Sequence, residues 1–341
     1  MYPIDRRVFL AAAGASAAVP FAACAQEPAP AWSARESMPW PVQEIYATVS
    51  KGRIVIAGGL VGRPDGLHIE DRTAFYSPAA DQWDLGPSLP EPRHHPMLIA
   101  NGDGRVYALG GYGRTDAGDW TSMTDVWTLG TNGWEEAPSL PGPQSEAVGV
   151  AFEGALHLIT GRAPRGSANG EWSDQRDIAT HRVFLGGSWE TARPNPMARN
   201  SAAGAVLNGV IWVAGGRTVE GSGTGRLDRY DPKRDRWDTL APIPRSRASD
   251  NQVGGGLAMA AVGDRLVAFG GEWFAGRGDG GVFRETWIYD PAADAWSAGP
   301  AMLTPRHGLA AAAIGDTVYA VAGGAVASGG EATGIVEALT L

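Results

Sequence analysis

Three arginines precede a histidine or an amide at matching points of a repeating pattern: Arg93-His94-His95, Arg199-Asn200-Ser201 and Arg306-His307. Arg114, Arg162 and Arg217 follow glycines that close apolar runs, and Glu272 follows Gly270-Gly271 directly, with Arg277 five residues on. Guanidinium forks grip carboxylates through paired bonds, and imidazoles and carboxylates exchange protons near neutral pH. If these groups share one surface, they suit a small anionic or polyhydroxylated ligand. An arginine in such a place can equally bond carbonyls or acids of its own fold, so both readings stand. Tryptophans at 120, 172 and 273 could stack on sugar faces.

Other chemistries find no support in the spacing. No HxH, HExxH or CxxC motif occurs, and His94 and His95, as neighbours along a strand, should point to opposite faces, so no metal is expected. No GxSxG elbow is present. The glycine-rich turns lie between strands, whereas a dinucleotide fingerprint needs a following helix. No cofactor is therefore expected. Lys and Arg number 28 against 37 Asp and Glu, a net charge of −9, and no basic block stands out, which argues against nucleic acid. The single cysteine, Cys24, excludes an intrachain disulfide.

Residues 1–24 read as an export signal. Arg6-Arg7 precede Val8-Phe9-Leu10 and a small apolar run to Ala23, which resembles a twin-arginine leader, although Asp5 stands where Ser or Thr is commoner. Pro20 interrupts the run, which is also too short for a bilayer span. Two cleavage readings stay open. Ala23-Cys24-Ala25 fits a small-x-small site and a soluble product, and Phe21-Ala22-Ala23-Cys24 fits a lipobox with Cys24 acylated. Either places the protein in the periplasm or outside the cell, with membrane contact only through a lipid on Cys24. Residues 25–30 read as a spacer.

The elements that must position the polar groups come from an internal repeat. Apolar runs closed by a glycine pair put the first pair member at 58, 110, 160, 215, 270 and 323, with Thr160-Gly161 as a degenerate copy. An aromatic strand followed by Trp recurs at Trp83, Trp134, Trp189, Trp237 and Trp296. The sixth glycine pair has no Trp after it, and the unpaired Trp32 lies 51 residues before Trp83. Six pairs match six tryptophans only if the N-terminal strand closes a ring. Asp231-Pro232, Asp290-Pro291 and Asn132-Gly133 supply tight turns.

These marks resemble the kelch family of β-propellers over residues 31–341. The resemblance implies an all-β fold of six four-stranded blades around a central channel. The start of each first strand and the end of each second strand then share a face. Arg93, His94, Arg199, Asn200, Arg217, Arg306, His307, Arg114 and Arg162 should converge there as ligand-binding groups. The chain also resembles the periplasmic N-acetylneuraminate epimerases, which implies Glu272 and Arg277 as a catalytic pair, set one residue closer than in that family. The copper-radical galactose oxidases of this fold need a cysteine that is missing here outside the leader. The functional expectation is an exported propeller binding a small or carbohydrate-like ligand, with a cofactor-free sugar mutarotase or epimerase and a protein-interaction scaffold as the alternatives; no protein partner is identified.

Overall fold

A computed structural model of the chain describes residues 29–115, 120–220, 223–276 and 279–341. Arg6, Arg7, Cys24 and Arg277 lie outside the described residues.

Second strands such as Arg53–Ala57, Val106–Leu109 and Ala155–Ile159 are apolar along almost their whole length instead of alternating. Such strands need cover on both faces. They receive it because each sits inside a four-stranded antiparallel sheet stacked between two others. The first sheet runs Ala47–Ser50, Arg53–Ala57, Thr73–Ser77 and Gln82–Leu85. Six such sheets form the blades of a β-propeller, and their inner strands touch in sequence around the ring, with the sixth back against the first.

Closure is as the repeat count requires. Ser33–Arg35 forms the outer strand of the sixth sheet, pairing Ser33 with Ala338 and Arg35 with Val336. The recurring tryptophans bind blade to blade. Trp83, Trp134, Trp189, Trp237, Trp296 and Trp32 donate Nε1–H to the carbonyls of Glu36, Pro87, Pro138, Arg193, Ala241 and Pro300, at 2.8–3.1 Å. Each acceptor lies just beyond the outer strand of the preceding blade. Trp thus serves as an apolar plate with one N–H that must be satisfied.

One register differs from the sequence reading. In five blades the pair before the loop has left-handed φ at both residues, such as Gly58 (70°) and Gly59 (112°). In the sixth blade these angles fall on Ala322 (55°) and Gly323 (99°), so the pair is Ala322-Gly323, one residue earlier than expected. Gly324 then takes the place that Leu60, Tyr112, Arg162, Arg217 and Glu272 hold in the other blades.

Antiparallel hairpins rise from the loops after the second strands of blades one, two, three and five: Leu60–Arg63 with Gly66–Ile69, Tyr112–Arg114 with Trp120–Ser122, Arg162–Pro164 with Gln175–Asp177, and Glu272–Gly276 with Asp279–Val282. They wall one end of the channel. Below them the channel is nearly filled by Tyr46, Met97, Val148, Leu257 and their neighbours, with a cavity of about 70 Å³ left.

Candidate functional site

The site begins with backbone geometry. Just before each first strand, one residue takes a left-handed conformation: Glu44, His95, Glu146, Ser201, Gly256 and Gly308, with φ between 50° and 68°. Their amides bond around the axis. His95 donates to Glu44, Glu44 to Gly308, Gly308 to Gly256, Gly256 to Ser201, and Ser201 to Glu146, at 2.7–3.2 Å. Left-handed backbone at a residue with a side chain costs of order 1–3 kcal/mol and gathers where side chains must be aimed. Here it aims Glu44, His95 and Glu146 into a cavity of about 670 Å³ at the channel mouth. Glu272, Arg217 and Tyr112, each following its glycine pair, join them, and Trp120, Trp172, Leu67 and Phe274 form the walls.

The charges are interlocked. His95 Nε2 meets Glu44 Oε2 at 2.7 Å. His307 Nδ1 lies 3.6 Å from Glu44 and 3.4 Å from Glu272. Glu272 also holds Arg217 and accepts the Ser328 amide at 2.8 Å. Glu146 receives Arg162 and the Tyr112 hydroxyl at 3.1 Å each, and the Ser201 hydroxyl. Burial would raise both carboxyl pKa values, but the opposing charges win. Arg162, His95 and Arg217 bring Glu146 down to about 2, and His95 with His307 and Arg217 brings Glu44 lower still. Burial opposes protonation of His95, yet Glu44 and Glu146 lift its pKa above the usual value. His94, buried beside it, is pushed well down and stays neutral. The mouth therefore holds ionised carboxylates together with a histidine whose protonated form is favoured, in a cavity with Tyr112, Trp120, Trp172 and Phe274 among its walls.

Several expected ligand groups sit elsewhere. Arg93, Arg199 and Arg306 are fully buried inside blade packing. Arg93 pairs with Asp125 (3.4 Å) and Glu91 (3.3 Å) and lies on Trp127. Arg199 pairs with Asp228 at 2.8 Å, and Arg306 bonds the carbonyls of Ala322 and Ile335 and faces Glu337 at 3.3 Å. None lines the mouth cavity. The reason is local: chain neighbours point to opposite sides, so a turn that sends residue 94 toward the axis sends residue 93 into the blade. Arg217 is the arginine that lines the mouth cavity, and Arg162 is fully buried behind it, paired with Glu146 and 3.1 Å from the Trp172 ring centroid. Arg114 is at the rim, bonded to the Leu67 carbonyl at 2.8 Å. Asn200 is buried and bonds Asp177 and Arg162, and His307 is buried between the two glutamates.

His94 and His95 also depart from expectation. Their Nδ1 atoms lie 2.8 Å apart, because the left-handed turn at His95 breaks strand alternation and swings both rings to one side. The carboxylates Glu44 and Glu146 were the main site residues that the sequence reading did not select. Their signal was present: both occupy the same repeat position as His95.

A model of the kelch motif matches residues 198–244 and 254–303, blades four and five. The chain thus carries kelch motifs within a six-bladed β-propeller. Among relatives, this kelch chain is 26% identical over 252 residues to the Kelch-like protein terF of Aspergillus terreus, covering 70% of this chain and 52% of that protein. It is 25% identical to Beta-scruin of Limulus polyphemus, over 84% of this chain and 32% of the relative. The kelch chain thus spans about half or less of the length of these curated relatives. Among solved structures, YjhT superposes with a TM-score of 0.73 at 17% identity, covering 89% of this chain and 96% of that one. That likeness is one of fold.

Proposed function

We propose that this kelch propeller is an exported sugar mutarotase or epimerase that needs only proton transfer at its channel mouth. One observation carries the reading: ionised carboxylates, a histidine with raised pKa and an arginine line a single aromatic-walled cavity of about 670 Å³, the size of a small-ligand site. The mixed charge favours a polyhydroxylated ring over a simple anion. Hydroxyls donate to Glu44 and Glu146, and a sugar face lies on Trp120 or Trp172. The resemblance to N-acetylneuraminate epimerases, through Glu272 after its glycine pair, points the same way.

The chemistry balances without an external reagent. Glu272 takes the proton of the anomeric hydroxyl while His95 gives a proton to the ring oxygen. The C1–O5 bond of an aldopyranose opens to an aldehyde (C2–O6 of a ketopyranose to a ketone), the C1–C2 bond (C2–C3 in a ketose) rotates, and the ring recloses on the other face as both protons return. Arg217 holds Glu272 in place and orients the substrate. General acid–base catalysis of this kind contributes about 10²–10⁴-fold.

Anomer-exchange NMR on hexoses, amino sugars and sugar acids tests the reading. Accelerated exchange with one class, lost in Glu272→Gln while binding persists, is the expected result. Binding without faster exchange would reduce the site to a carbohydrate-binding module, and no binding by any class would overturn the sugar reading itself. Export rests on Arg6-Arg7 and the run to Ala23.

A further inference from the structure

The mouth cavity has a neighbour of different character. Between blades four and five a second cavity of about 570 Å³ shares Arg217, Glu272 and Phe274 with the first. Arg226 and Arg245 also line it. Arg226 Nε donates to both oxygens of Asp228 at 2.9 Å, but the fully buried Asp228 already carries Arg199 at 2.8 Å. One carboxylate therefore answers two guanidiniums. Arg245 makes no ion pair among the described residues, and its Nη1 donates to the backbone carbonyl of Asp250 at 2.7 Å. The Asp250 side chain is exposed, and Glu285 is taken by the Ser246 hydroxyl. Arg217 and Glu272 offset one another. What remains is a positive cleft in a chain whose net charge is −9. A local field of opposite sign to the whole protein, inside a concave site, draws a ligand of matching charge.

We infer that the substrate reaches across the Arg217–Glu272 pair: a saccharide of at least two residues, its reacting ring in the mouth and its neighbouring residue bearing a carboxylate or sulfate in the basic cleft between blades four and five. This rests on the sugar reading of the mouth. Two compartments, each large enough for one ring, meet at a shared ion pair, and only the second carries uncompensated guanidinium charge. Trp273, which lines the cleft, gives the second ring an apolar face.

The test uses matched ligands and one exposed arginine. Cellobiose and cellobiouronate differ only by a carboxylate on the non-reducing ring, as do maltose and maltobiouronate. Calorimetry should show the acid of at least one pair binding about tenfold or more tighter than its neutral twin, the scale of a charge-assisted hydrogen bond. Arg245→Gln should erase that difference without lowering the melting temperature. Equal affinity within every pair that binds, or a preference that survives Arg245→Gln, overturns the inference. A second arm separates the two readings. Free glucuronate and inorganic sulfate, titrated alone, should bind the wild type and lose about tenfold in Arg245→Gln. If no disaccharide binds but this anion response appears, the sugar reading of the mouth fails while the basic cleft stands as an anion site. If neither anion binds, the cleft inference fails whatever the mouth does.

Discussion

Replacing Glu146 by Gln tests whether the mouth is held by charge or only by shape. Glu146 is 2% exposed, and its oxygens serve Arg162, Tyr112 and Ser201. Its pKa falls from 4.5 to about 2, against the burial that would raise it and because Arg162, His95 and Arg217 outweigh that burial. That difference corresponds to about 3 kcal/mol of folded-state preference for the ionised form. With burial this complete, solvent screening removes little of it. The sign follows from linkage: a carboxyl whose pKa is depressed by folding contributes stability above its unfolded pKa, and the contribution disappears as pH falls through the folded value. Glu146→Gln should therefore be about 3 kcal/mol less stable than wild type at pH 7, and the gap should start to close below about pH 4.5 and vanish near pH 2. Urea unfolding of both proteins at several pH values from 7 to 3 measures the gap. Over that range it should shrink by about 1.4 kcal/mol for each pH unit once below 4.5. A gap that stays constant with pH, or no gap at all, would show that the carboxylate is not held by these charges and would refute the reasoning.

Trp32→Ala removes the indole that bonds Thr286 and the Pro300 carbonyl and packs on Phe269, and it should cost about 3–5 kcal/mol in chemical denaturation; unchanged stability would deny it a part in ring closure. Because His95 is the acid of the proposed reaction and its pKa is raised, anomer exchange should persist above pH 6.5 and fall only at higher pH as the imidazole loses its proton; a decline centred below 6.5 would remove His95 from that role. Changing both Arg6 and Arg7 to Lys should block twin-arginine export, and continued export through that pathway would contradict the leader reading. Mass spectrometry of the mature terminus distinguishes a diacylglyceryl adduct on Cys24 from a free Gln26 terminus.

The fold was legible because its marks are local and repeated. A glycine pair after an apolar run, a Trp at a fixed distance and one unmatched copy at each end follow from steric and hydrogen-bonding demands that every blade meets in the same way. Even the required ring closure could be counted. The single slip, placing the sixth pair at Gly323-Gly324 and not Ala322-Gly323, arose because composition favours glycine for left-handed backbone while the structure put an alanine there. The candidate site was legible in part. Its face, its glycine-pair residues Glu272, Arg217 and Arg162, and its tryptophans came from topology and spacing.

Which side chains turn inward was decided by the tertiary structure. Arg93, Arg199 and Arg306 share a motif with the residues that follow them, yet their guanidiniums enter the blades to meet Asp125, Asp228 and Glu337, partners 32, 29 and 31 residues away in sequence. Left-handed turns at Glu44, His95 and Glu146 reversed the alternation that an extended strand would impose, and so placed carboxylates where arginines were expected. The sequence by itself determined the repeat, the ring and the face that carries polar groups, because these depend on short-range sterics applied six times over. Only the assembled ring decided the charge of the mouth, because that charge is a sum over side chains from different blades whose directions depend on single backbone angles and on partners far away in the chain.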